Sequence, residues 1–211
     1  MKKGCFIFIS ALISITAFAQ NDKDTSQSVL SSNEDDTYKK MIDYSRPGKY
    51  HKVLKNLEGS WTYKGGYPDS NGAIAKYYYG TFVWKSFADG RYFTAEVNSS
   101  KIQMPVADGK MKEVNYKSIY TIGYNNVKSK FEATTIANVL GSNITFAEGT
   151  YDSTTNAVTF DAEDNPVPGV KMKIRDVFTF RDKDHYTIES YNYQDGKYIK
   201  INLVKCTRAA R

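Results

Sequence analysis

Apolar and polar residues alternate with a period of two along most of the chain after Gly59. Such alternation predicts β-strands with one buried face, because successive side chains of a strand point to opposite sides. Turn residues such as Asp89-Gly90 and Asp195-Gly196 separate the runs, a spacing typical of antiparallel sheets. The alternating runs cover residues 61–63, 74–87, 93–97, 116–124, 131–137, 144–151, 158–162, 170–180, 186–193 and 199–207.

About ten consecutive antiparallel strands leave two exposed edges unless the sheet closes on itself. The pattern therefore predicts an all-β, antiparallel up-and-down β-barrel over residues 59–208. A barrel of this size has an interior with room for one small ligand. Residues 99–112 interrupt the alternation, and we interpret them as an inserted loop.

Two short helices are predicted before the barrel, over residues 37–58. Apolar residues recur there at helical spacing, and Pro47-Gly48 divides the segment. The preceding residues 20–36 are polar and lack periodicity, so we expect a flexible leader.

The first nineteen residues have the features of a secretory signal peptide. Lys2 and Lys3 precede a short apolar run, and small residues at positions 17 and 19 predict cleavage after Ala19. We therefore expect a periplasmic or secreted protein with no stable membrane span after processing.

Charge and cysteine content exclude several classes of function. The mature chain keeps 27 basic and 23 acidic residues, a net charge of +4 without a clustered basic patch, so nucleic-acid binding is not expected. Cys206 alone remains after processing, so no internal disulfide can form, and we expect a small buried side chain there. Two distant histidines make a poor metal site, and no cofactor is predicted, although haem ligation by His51 stays open.

Strand parity brings three charged residues to predicted inward positions. Arg91, Glu148 and Asp176 share the parity of apolar neighbours on their strands. A charge that faces a core is costly unless it is paired or hydrated. One interpretation is that they line a cavity and orient a ligand; the other is that they lie at strand ends or bulges. The candidate cavity residues are Arg91, Phe93, Tyr120, Glu148, Asp176 and Phe178.

Residues 47–208 also resemble a bacterial family known as domain of unknown function 1579. The matching elements are Pro47-Gly48, Gly59-Ser60-Trp61, Gly90-Arg91-Tyr92-Phe93, Gly123-Tyr124-Asn125-Asn126, Glu148-Gly149-Thr150-Tyr151-Asp152, Asp195-Gly196-Lys197 and Thr207-Arg208. The resemblance implies a lipocalin-like (calycin) barrel and no established activity. It also implies that Arg208 packs across Trp61 to close one barrel end, an arrangement worth about 0.5–2 kcal/mol.

Three hypotheses about function stay open at this point. The first is non-catalytic binding of a small, largely apolar molecule in the barrel. The second is a hydrolase or isomerase-type enzyme with a minimal site built from Arg91, Glu148 and Asp176. The third is a ligand-free structural or interaction module with a filled core. The sequence does not determine the oligomeric state.

Overall fold

The computed structural model describes residues 27–105, 110–138 and 143–210. Its secondary structure consists of two helices followed by ten strands: α1 (Gln27–Ser45), α2 (Lys49–Lys55), β1 (Gly59–Pro68), β2 (Ile74–Phe87), β3 (Tyr92–Pro105), β4 (Met111–Asn125), β5 (Lys130–Ala137), β6 (Thr145–Asp152), β7 (Ala157–Val167), β8 (Val170–Phe180), β9 (His185–Gln194) and β10 (Lys197–Arg208).

The ten strands form one closed antiparallel barrel, which confirms the predicted fold. Each strand pairs with its neighbours in the sequence, and the last strand returns to the first. Closure joins β1 to β10 from Trp61↔Arg208 to Gly66↔Leu203. No strand is left with an unpaired edge in this arrangement, as expected of a barrel.

The chain forms two compact units, and the boundary between Met41 and Ile42 falls within α1. In the first unit, α1 begins at Gln27, so the predicted flexible leader is wrong from that residue onward. No Gly or Pro interrupts residues 27–45, and Asp36 pairs with Lys40 at 2.5 Å one helical turn later.

The predicted signal peptide lies outside the described residues. Neither described helix is both long and apolar enough to cross a membrane.

The helix α2 closes one end of the barrel. Leu54 and Leu57 are fully buried there. The ring of Tyr50 lies 4.6 Å from that of Tyr124 on β4. Asn126, in the turn after β4, donates hydrogen bonds to the carbonyls of Tyr44 and Arg46 at 2.7 and 3.0 Å.

The barrel end at which β1 begins and β10 finishes is called the closed end, and the opposite end is called the far end.

The predicted loop over residues 99–112 is wrong for most of its length. β3 continues to Pro105 and β4 begins at Met111, whereas residues 106–109 lie outside the described part. The register between β3 and β4 shifts between Ser99 and Ile102, and both of these residues are buried. Because a bulge resets the alternation of faces, it hides a continuous strand from a pattern of period two.

Glycines stand opposite aromatic residues at several strand pairs. Tyr63 pairs with Gly80 and Gly65 pairs with Tyr78 between β1 and β2, and a similar pair joins Gly149 to Phe160. A Cβ atom at Gly80 would collide with the Tyr63 ring, and one at Gly65 with the Tyr78 ring. The glycines therefore provide the space in which these rings lie flat across the neighbouring strand.

Candidate functional site

The half of the barrel next to the closed end is filled by aromatic side chains. Trp61 and Tyr186 meet edge to face at 4.7 Å, and the Trp84 indole N–H donates to the Tyr186 hydroxyl at 3.2 Å. Phe93 and Phe131 are equally buried in this region. We call this packed region the closed half.

Trp61 and Arg208 join the barrel to the chain segment that follows α2. The indole N–H of Trp61 donates to the carbonyl of Leu57 at 2.6 Å, and the Arg208 guanidinium lies 4.1 Å from the indole ring. That guanidinium also donates to three backbone carbonyls, those of Asn56, Glu58 and Lys183, at 3.0, 2.6 and 2.9 Å. Arg208 therefore ties both ends of the barrel chain together at the position expected from the resemblance.

Toward the far end the barrel interior is hollow. A cavity of about 210 Å³ extends from the middle of the barrel to Tyr67 and Met104, one residue from the ends of β1 and β3. A smaller cavity of about 40 Å³ lies beside it, and Tyr120 and Asp176 line both. The larger cavity is lined by Tyr63, Tyr67, Tyr78, Phe82, Val97, Ile102, Met104, Tyr116, Tyr120, Asp176, Ile188, Ser190, Asn202 and Val204.

The tyrosines give the cavity wall both ring faces and hydroxyl groups. Burial raises the pKa of Tyr63 to about 12 and raises the pKa of Tyr78 and Tyr120 as well, so these hydroxyls stay neutral at physiological pH. The Tyr78 hydroxyl donates to the Asn202 side-chain carbonyl at 2.8 Å. The wall can therefore stack against a flat ligand and also donate or accept hydrogen bonds.

Three polar residues cross the cavity wall in one row. Asp176 pairs with Ser190 across β8 and β9, and Ser190 pairs with Asn202 across β9 and β10. We call Asp176, Ser190 and Asn202 the polar row. Apolar surroundings with a few converging polar groups are typical of small-molecule sites, in which the polar groups fix the ligand's orientation.

The Asp176 carboxyl is the charged member of the polar row. Loss of solvent raises the pKa of Asp176, and a hydrogen bond from the Ser190 hydroxyl partly offsets that effect. Among the described residues, Asp176 takes part in none of the ion pairs. A buried carboxylate without a cation is costly, so this group is the one least explained by folding alone.

Tyr120, Asp176 and Phe178 thus lie where the sequence predicted, on the cavity wall. Phe93 also points inward, but it packs in the closed half and lines neither interior cavity.

Glu148 does not face the interior, contrary to the prediction from parity. Its carboxylate is 41% exposed and pairs with Lys128 at 3.1 Å on the outer surface. The inward positions on either side of Glu148 hold the small residues Ala147 and Gly149, whereas Phe146 lies outside and is 48% exposed. The apolar residues of this strand therefore do not mark its inward face. At Gly149 the inward space is filled by the Phe160 ring of the neighbouring strand β7.

Arg91 lies outside the barrel interior as well. It precedes β3 in the turn after β2, where its Nε donates to the Ala88 carbonyl at 3.1 Å, and it borders a surface cleft beside His51. The predicted cluster of Arg91, Glu148 and Asp176 therefore does not form, because a turn and an outer strand face separate two of its members from the third.

His51 and Cys206 are buried in structural roles. His51 accepts a hydrogen bond from the Gly48 N–H at its Nδ1 at 2.9 Å, and its ring also interacts with the Tyr124 backbone. Burial lowers the pKa of His51, so the ring is neutral, and these contacts leave no ring nitrogen directed at a haem iron. Burial raises the pKa of Cys206 to about 12, which suits a core thiol rather than a nucleophile.

The remaining clefts lie on the outer surface. One, of about 330 Å³, is bordered by Tyr44, Arg91 and Asn126 near the closed end, and another, of about 620 Å³, covers the outer faces of β6 and β7. Both lie outside the barrel beside charged side chains such as Glu132 and Asp161, whereas five tyrosines and the polar row line the interior cavity, so the interior cavity is the stronger candidate. Among the described residues, no group of three His, Cys, Asp or Glu side chains could hold a metal ion.

Comparison with family models matches residues 46–208 to the family described as "Protein of unknown function (DUF1579)". The chain belongs to this family. The match covers α2 and the whole barrel. No curated protein matches the chain.

Solved structures also match the chain. Rv2717c from M. tuberculosis is 15% identical and aligns over 78% of this chain and 100% of its own, with a TM-score of 0.49. The protein EF1p2_mFAP2b, solved bound to DFHBI, is 8% identical and aligns over 75% of this chain and 98% of its own, with a TM-score of 0.39. These likenesses carry no conclusion about the ligand or reaction of this chain.

Proposed function

We propose that this family member is a non-catalytic binding protein that takes a small, largely apolar molecule into the far half of its barrel. The observation that supports this most is the contrast within one core: the closed half is filled, whereas a cavity of about 210 Å³ remains beside the polar row. A fully packed interior would stabilise the barrel more than a hollow one, since unfilled space costs contacts.

The volume of the cavity limits the size of the ligand. Typical pockets for drug-sized ligands measure roughly 300–1,000 Å³, so 210 Å³ suits a smaller molecule with one ring or a short chain. Several neutral hydroxyls and one amide could orient a hydroxyl or amine group on that ligand.

An enzyme built on Arg91, Glu148 and Asp176 is not supported, because these residues do not share a site. A filled structural module is also less favoured, because the hollow half would then have no role.

We also propose that the protein works outside the cytoplasm, because residues 1–19 have the pattern of a signal peptide. Native mass spectrometry of protein recovered from its own host tests both proposals. We expect a chain that begins at Gln20 and a co-purifying small molecule. A chain that retains Met1 would contradict export, and a clean apo mass after mild isolation would count against a tightly held ligand.

Binding can also be measured directly with 2-phenylethanol, which has one ring and one hydroxyl. Chemical-shift titration should show saturable binding to the wild-type protein and about tenfold or greater weakening in Met104→Trp, because the larger side chain fills the cavity at its far end. Met111→Trp is the matched control, since Met111 lies at the same barrel end but is 59% exposed. Equal binding by both variants would overturn the proposal.

A further inference from the structure

Among the described residues, the cavity wall has one charged side chain and no cation to balance it. Among the residues that line the two interior cavities, Asp176 is the only acid, and none is Lys, Arg or His. The Asp176 carboxyl receives a hydrogen bond from Ser190. An ionised carboxylate accepts at about four sites, and the hydrogen bond from Ser190 uses one of them.

Tyrosine rings surround this carboxyl. Tyr116 and Tyr120, both on β4, lie close enough to Asp176 for its charge to raise their pKa values further. Tyr63 and Tyr78 form the adjoining wall, and Gly80 and Gly65 hold their rings in place. Aromatic faces attract cations, and the attraction is stronger where water is excluded.

We propose that the ligand is an organic cation, a small amine whose protonated nitrogen pairs with Asp176 while its apolar body lies against the tyrosines. This inference rests on the proposed binding function and names the chemical class of its ligand. An ammonium group supplies the donors that the carboxylate lacks, and the tyrosine rings supply a second, weaker attraction to the same charge. An anion would instead meet a buried carboxylate with no cation between them.

Neutral and anionic ligands are the alternatives that an experiment must separate. Three probes with the same phenyl group serve this purpose: 2-phenylethylamine, which is protonated at pH 7, 2-phenylethanol, which is neutral, and phenylacetate, which is anionic. The first two have equal numbers of heavy atoms, so shape and apolar area are nearly constant between them.

We expect the unaltered protein to bind the ammonium probe about tenfold or more tightly than the alcohol, and phenylacetate weakest of the three. This order needs no variant, so it does not depend on whether a substituted chain folds. If the alcohol binds as tightly as the ammonium, the cation proposal is overturned whereas the binding function stands. If neither probe binds, both proposals fail.

The variant Asp176→Asn then tests the assigned residue. Its amide can still accept the Ser190 hydrogen bond but carries no charge, so we expect ammonium binding to weaken about tenfold more than alcohol binding. The preference for ammonium over alcohol should therefore be lost. An unchanged ammonium preference in that variant would overturn the assignment to Asp176.

Discussion

The closed half of this barrel and the half that holds the interior cavity, the hollow half, are built from the same ten strands. They differ in the side chains that point inward. Near the closed end the inward positions hold Trp61, Trp84 and Phe93, each of which is 1% exposed. Toward the far end they hold tyrosines and the polar row around a cavity of about 210 Å³. One half is therefore organised for stability, and the other keeps groups that folding does not need.

The change from one half to the other follows each strand in steps of two. On β8 the inward residues run from Phe180 through Phe178 to Asp176, and on β9 from Tyr186 through Ile188 to Ser190. On β10 they run from Cys206 through Val204 to Asn202. Because the three strands are neighbours, their polar ends meet in one row. The site is thus a property of aligned strand positions rather than of a local motif.

Trp61→Ala should cause the largest loss of stability, because it removes the centre of the closed half. The indole is 1% exposed, donates to Leu57 and supports the Arg208 guanidinium. We expect the free energy of unfolding in urea to fall by about 3–5 kcal/mol. Tyr79→Ala removes an aromatic ring that is 58% exposed and should change it by less than about 0.5 kcal/mol. Equal losses in both variants would contradict the division into a packed core and an outer face.

Arg208→Lys should cause a smaller loss of stability. It tests whether the barrel needs the several hydrogen bonds that one planar guanidinium can donate. The lysine keeps the charge but cannot reach the carbonyls of Asn56, Glu58 and Lys183 together. We expect a decrease of about 2 kcal/mol in the free energy of unfolding. Arg181→Lys, at an exposed position, is the control. A change below about 0.5 kcal/mol in the free energy of unfolding would mean that the hydrogen bonds of Arg208 to these carbonyls add little to the stability of the protein.

The fold could be predicted from sequence much further than the site. Alternation and turn residues identify ten strands because each strand has one buried face, and closure follows from the need to pair the edges. Asp176 and Tyr120 were also found from parity. Parity failed at Glu148, since the inward residues of β6 on either side of it are Ala147 and Gly149, which carry no strong apolar signal.

The other two residues of the polar row, Ser190 and Asn202, could not be predicted from strand parity for a different reason. Ser190 and Asn202 look unremarkable on their own strands, and only the register between β8, β9 and β10 brings them beside Asp176. Register depends on bulges, such as the shift between Lys200 and Asn202, that single-strand patterns do not reveal. The pairs of glycine and tyrosine on β1 and β2 were a usable signal, because a glycine opposite a large ring indicates where that ring lies.

Asp176→Asn should raise the free energy of unfolding, whereas Trp61→Ala and Arg208→Lys lower it. Its effect should be the smallest of the three. Burial raises the folded-state pKa of Asp176, so the folded protein holds this proton more tightly than the unfolded chain. The resulting contribution to stability is fully present below the ordinary carboxyl pKa of 3.8 and is lost as the pH rises through the folded-state pKa. Above its folded-state pKa, Asp176 is an unpaired carboxylate in the cavity wall, and there the amide of Asp176→Asn should stabilise the protein by on the order of 1 kcal/mol.

The pH dependence of that gain distinguishes charge from packing. Urea unfolding of both proteins should give a difference that shrinks as the pH approaches 3.8, because Asp176 in the wild-type protein then becomes neutral. Glu148→Gln makes the same chemical change on the outer surface, where Lys128 and solvent already stabilise the carboxylate, and should shift stability by less than about 0.5 kcal/mol at any pH. If Asp176→Asn destabilises the protein at pH 7, the carboxylate already has a stabilising partner in the empty barrel, and the argument that it awaits a cation loses its basis.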